Sequence, residues 1–181
     1  MITRNRIRAT FLTLCALLAT LCGTSAKAQT ATLVAQSNNG GITDHYVTPE
    51  RVVWISDSTG RFVRHAERLT RPFSGQVSVA DTAYTVMQST ATHKAGVLVD
   101  FGRELHGALE IASAIRPEHA PVRLRVRLGE SVTEALSADG EKRGATNDHA
   151  MRDFILPAPW LGNTQTGNTG FRFAYIEVED T

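Results

Sequence analysis

Acids concentrated in the second half of the chain, Asp100, Glu104, Glu130, Glu134, Asp139, Glu141, Asp148 and Asp153, are the groups best suited to acid and base chemistry. Hydrolysis of an acetal linkage usually takes two carboxyl groups, one held protonated, at separations of about 5 to 9.5 Å. Sequence spacing does not pair these acids, and none is assigned a catalytic role. Singly, they read as solvated turn residues or partners of nearby arginines. No Cys/His zinc spacing, phosphate-cradling glycine motif, nucleophile elbow or basic-aromatic patch occurs.

Two polar clusters stand out. In Asp100-Phe101-Gly102-Arg103-Glu104-Leu105-His106-Gly107, glycines flank a charged corner between two expected strands. Glycine lets the chain turn sharply there. One reading is a structural corner in which Asp100 or Glu104 accepts backbone or arginine hydrogen bonds. The other sets Glu104 and His106 beside a sugar. The second cluster, Gly144 to Phe154, places Asn147, Asp148 and Arg152 together, planar groups that can fork onto adjacent hydroxyls of a carbohydrate. Asp139, Asn147 and Asp148 are oxygen-rich enough to suggest calcium, although the spacing is not that of an EF-hand loop. No metal ligand is assigned on that basis, and no other cofactor is expected. Trp54, within Val52-Val53-Trp54-Ile55, reads as core; Trp160, in a Pro-rich segment, could cap the fold or be exposed.

These residues need strands to position them. Val122, Leu124, Val126 and Leu128 alternate with Arg123, Arg125 and Arg127, which predicts a strand with one apolar face and one solvated face of arginines. Further strands are expected over 51–56, 62–69, 95–101, 107–115, 150–156 and 171–179, with weaker ones over 76–80 and 83–88. Phe171, Phe173 and Tyr175 are expected on one face of the last. The polar run 162–170 reads as a loop, and 131–138 is the one helical candidate. Short strands at roughly 10-residue spacing predict an all-β fold, a two-sheet antiparallel β-sandwich. The long connection 129–149 is the first place to look for a site.

Residues 1–28 read as a secretory signal peptide: Arg4, Arg6 and Arg8, an apolar run from Ala9 to Cys22, then Ala26-Lys27-Ala28. The apolar run is shorter than the roughly 20 residues a membrane span needs. The expectation is a secreted or periplasmic protein with no membrane contact after cleavage. Residues 29–44 are expected as a loosely held leader and 45–181 as one β-sandwich domain. Both cysteines lie in the signal, so the mature chain has no thiol for a disulfide or a nucleophile. Removing the signal leaves 15 Lys+Arg against 18 Asp+Glu, a mildly acidic balance that gives no reason to expect nucleic acid.

Four blocks, DFGRELHGALEIAS, VRLRVRLGES, GATNDHAMRDF and GNTGFRFAYIEVEDT, resemble in that order the β-sandwich preceding the helical catalytic barrel in secreted bacterial α-L-rhamnosidases and related six-hairpin glycosidases. The resemblance implies a jelly roll of the galactose-binding type and a rhamnose-containing glycan or polysaccharide as partner. In those enzymes the catalytic carboxylates belong to the barrel, so no catalytic residue is carried over. The sequence given stops at Thr181, where a barrel would begin, and the barrel is the expected missing partner. The expected role is an accessory domain that binds carbohydrate or docks the barrel. Alternatives are a free-standing carbohydrate-binding module and an inert truncated fragment.

Overall fold

The alternation of Val122 to Leu128 becomes a strand with its apolar residues turned inward. In the computed structural model Leu124, Val126 and Leu128 are buried and Val122 is half-buried. The structure describes residues 33–36, 43–72, 80, 84–114, 119–137 and 152–181. The expected signal peptide, residues 76–79 of the strand candidate 76–80, and residues 138–151 lie outside these.

In chain order the strands are β1 (Leu33–Gln36), β2 (Thr43–Tyr46), β3 (Arg51–Ile55), β4 (Val63–Arg64), β5 (Val86–Met87), β6 (Gly96–Ser113), β7 (Val122–Gly129), β8 (Asp153–Ala158) and β9 (Gly162–Val178). A five-stranded antiparallel sheet has the order β3-β6-β9-β7-β8, and β1-β2 and β4-β5 form two-stranded ribbons. The fold is all-β and antiparallel, in agreement with a sandwich. The helical candidate condenses to α1 (Val132–Leu136), started by Ser131, whose hydroxyl accepts from the Glu134 amide while the Glu134 carboxylate reaches back.

The second layer comes largely from β6 and β9 themselves. Their register shifts between Asp100 and Leu105, and beyond that bend Leu109 packs with Val126, Leu128 and Leu156, while Ile111 packs with Leu124, Ala158 and Val178. The distal halves of both strands therefore cover the inner face of the sheet. Strands that change layer through a bulge are one way a sandwich makes its corners. Val63, Met87 and Leu69 extend the same core against Val97 and Ile176. On the opposite, outer face, Leu98, Phe173 and Tyr175 pack against Ala135 of α1.

Several expectations change. Residues 102–106 are a bend inside the continuous β6, and 162–170 belong to β9, paired with 106–113. Its Thr, Asn and Gln side chains lie on a ribbon half open to solvent, so the apolar period that marks a strand is missing. The run 62–69 is a two-residue strand followed by a 3-10 turn over Ala66–Thr70, because His65 adopts a left-handed φ of 60°. Phe171 packs in the inner core, whereas Phe173 and Tyr175 pack on the outer face, the chain having bent between them. Within the expected leader, Leu33–Gln36 pairs with Thr43–Tyr46.

Candidate functional site

Asp100 organises the bend. It is fully buried, and its carboxylate accepts hydrogen bonds from Arg51 Nε and Nη2 (2.9 and 2.7 Å), Arg172 Nε and Nη2 (2.8 and 3.1 Å) and the Gly102 amide (2.8 Å). The Arg172 hydrogen bond above all, against the opposing effect of burial, holds this carboxyl well below the usual carboxylate range. Asp100 is thus a permanent anion that ties β3, β6 and β9 together. Gly102 sits at φ +75°, and a Cβ there would run into the Glu50 carboxylate. This position requires glycine both for its backbone angle and for space.

The bend gathers most of the describable residues that sequence singled out. Glu104 lies within the bulge and His106 faces Gly170 across the β6-β9 ladder; both side chains are exposed. Arg152 lies at the entry to β8, where its carbonyl accepts from the Leu128 amide and its Nη2 donates to Glu130 Oε1 at 3.2 Å. A Cβ built on Gly170 would come 3.7 Å from that same Glu130 oxygen, which sets the Glu130–Arg152 pair beside the strand position opposite His106. Arg152 Nε is buried without a hydrogen-bond partner among the described residues. Asn147 and Asp148 lie outside the described residues, as does Asp139; the segment that carries them leaves Ser137 and returns at Arg152. No group of three or more His, Cys, Asp or Glu among the described residues is arranged to hold a metal ion.

A second feature, not anticipated from sequence, crosses the outer face. The strand register aligns Trp54, Leu98, Tyr175, Arg127 and Asp153 in one transverse row, one residue per strand. Trp54 is 43% exposed, with its ring centroid 6.1 Å from that of the buried Tyr175. The Arg127 guanidinium lies 5.4 Å from the Tyr175 centroid, donates to the Leu136 carbonyl at 3.0 Å, and pairs with Asp153 at 3.3 Å. In the neighbouring row Gly96, Glu177, Arg125 and Ile155 are aligned. The Tyr175 hydroxyl lies over Gly96, where a Cβ would be 2.9 Å away, and donates to Glu177. Burial, followed by this hydrogen bond to an anion, pushes the Tyr175 phenol above its ordinary range.

Trp54 escaped the sequence reading because of a bulge in β3. Pairing shifts between Val52 and Trp54, so Val52 and Ile55 pack inward and Trp54 turns outward, against simple alternation. The arginines of β7 also depart from expectation: only Arg123 is largely exposed, whereas the Arg125 and Arg127 side chains are 28% and 13% exposed. Asp153 draws both of them down, Arg125 by two-pronged contacts of 2.9 and 2.6 Å. Arg125→Ser is therefore expected to cost about 1 kcal/mol of stability after allowance for partial solvent screening. Urea denaturation checks this; a midpoint equal to that of the native protein would deny the pair any structural weight.

No family model matches the chain, and no curated protein matches it. Among solved structures, a rhamnosidase from Klebsiella oxytoca with rhamnose bound is similar at 17% identity and a TM-score of 0.45, over 75% of this chain and 25% of that one. The chain spans about a quarter of the length of that enzyme.

Proposed function

We propose that this chain is a carbohydrate-contacting accessory domain of an exported glycoside hydrolase of the α-L-rhamnosidase type, reaching glycan with Glu104, His106, Asn147, Asp148 and Arg152. It works beside a catalytic barrel and does no chemistry itself. The observation that carries this reading is the placement of the four rhamnosidase-like sequence blocks. They fall in β6, β7, β9 and, through Asp153 and Phe154, the start of β8, four neighbouring strands, and the described residues of the first three blocks bring Glu104, His106 and Arg152 to one bend.

A further feature supports it. Exposed Glu104 and His106 beside the Glu130–Arg152 pair offer acceptors and donors in the mixture that orients sugar hydroxyls.

The purified chain is expected to release no product from aryl α-L-rhamnosides and to bind a rhamnose-containing oligosaccharide weakly, near ~1 mM, since an open bend desolvates little of its ligand. His106→Ala combined with Asn147→Ala and Asp148→Ala should abolish that binding in calorimetry. Robust turnover lost on changing Glu104, Glu130 or Asp148 would overturn the reading and make the chain an enzyme.

A further inference from the structure

We propose that the outer face of the sheet around Trp54 is a second carbohydrate-binding surface, on which an uncharged pyranose stacks on the indole and turns its hydroxyls toward Glu177 and Arg125. This rests on the reading of the chain as a glycan-contacting domain but uses none of the residues at the bend.

The first support is the setting of Trp54. A large aromatic that the apolar run Val52 to Ile55 would bury is instead turned outward by a bulge, 43% exposed. Its orientation is fixed from below: Tyr175 buttresses the indole and is itself buried, and Arg127, anchored to the Leu136 carbonyl and Asp153, holds Tyr175. A rigid aromatic face loses little entropy when a ligand lands on it. Aromatic rings prefer partners that present an apolar face, and one face of a pyranose carries C–H groups.

The second support is what lies beside the ring. Gly96, in the next row on the same face, contributes no side chain, and the Tyr175 hydroxyl and Glu177 carboxylate occupy the adjoining positions. Beyond Glu177 stands Arg125, whose charge is raised in stability by Asp153 first and by Glu177 among others. An acceptor and the Arg125 N–H groups not directed at Asp153 thus follow the platform across neighbouring strands, about 4.8 Å apart. The patch carries no excess of positive charge: Arg125 and Arg127 face Asp153, Glu179 and Glu177. Without a positive excess the patch gives no long-range attraction to a phosphate chain or an acidic peptide, so the ligand it suits is neutral and rich in hydroxyls.

Ile155, 62% exposed, and Leu136, 41% exposed, share this side of the molecule, which makes a second copy of the chain the competing occupant. The test titrates the protein with a rhamnose-containing tetrasaccharide and with cellotetraose, reading tryptophan fluorescence, calorimetric affinity and, without sugar, sedimentation. At least one saccharide is expected to change the fluorescence. Trp54→Ala should remove that change and weaken affinity roughly tenfold. Glu177→Ala should also weaken it, while Trp160→Ala, changing the other tryptophan of the chain, should leave affinity intact. Native affinity in both Trp54→Ala and Glu177→Ala would overturn the proposal. So would a dimer that Trp54→Ala dissociates in a protein that binds neither saccharide. Binding lost in His106→Ala yet kept in Trp54→Ala would leave the bend as the glycan site and remove this surface alone; no binding by the native protein would remove both.

Discussion

Asp100→Ala is expected to lower the unfolding free energy by about 2–3 kcal/mol, the cost of losing charge-assisted hydrogen bonds to a buried carboxylate whose arginine partners remain open to solvent. Asp100 is fully buried and receives Arg51, Arg172 and the Gly102 amide. Its loss leaves two guanidinium groups without their anion and a left-handed glycine without its restraint, at the bend that directs β6 and β9 from one layer into the other. Asp100→Asn keeps the shape and one acceptor, so its loss should be smaller. The pH dependence follows from the sign of the shift. The folded carboxyl titrates below its unfolded value of about 3.9, so protons are taken up first by the unfolded chain. The contribution is complete above about pH 5 and is lost progressively as the pH falls below 4. Urea unfolding at several pH values should show a steep acid loss in the native protein and a shallower one in Asp100→Ala. Equal slopes would mean that the carboxyl is not the anion described.

Val126→Asp is expected to abolish soluble expression. Val126 has no exposed surface and lies where β7 meets the returning halves of β6 and β9, in contact with the cluster of Val99, Leu109, Leu128 and Leu156. A carboxylate there would have no cation within the apolar layer and would cost several kcal/mol, comparable with the whole stability of a domain this size. Val126→Ala, which only leaves a cavity, should remain soluble with a loss of about 2–3 kcal/mol. Soluble, cooperatively unfolding Val126→Asp would show that the register of β7 is not the one described.

These two residues also mark how much was legible in the chain. Val126 sits in the cleanest alternation of the sequence, and period two dictates its burial with no tertiary information. The corner role of Asp100 was legible as chemistry, since an acid beside Gly102 and within reach of arginines reads as an acceptor, but Arg172 lies 72 residues away and no local rule names it. Trp54 was misread because a bulge inserts one residue without a sequence mark: Val53 looks like any other strand valine. Arg125 and Arg127 were read as solvated because the alternation fixes only their face; Asp153, delivered by β8, decides that they lie down on the sheet. Residues 162–170 lack apolar alternation because half of that ribbon faces solvent, so strand and loop look alike until the partner strand is known.

Carbohydrate contact at the bend is most directly tested by an amide-resolved nuclear magnetic resonance titration of the chain with a rhamnose-containing oligosaccharide. Saturable shifts are expected at Glu104, His106 and Arg152, with those of the core strand residues Val97 to Val99 unchanged. Shifts absent from the bend at saturating sugar, or no shifts anywhere, would contradict the account.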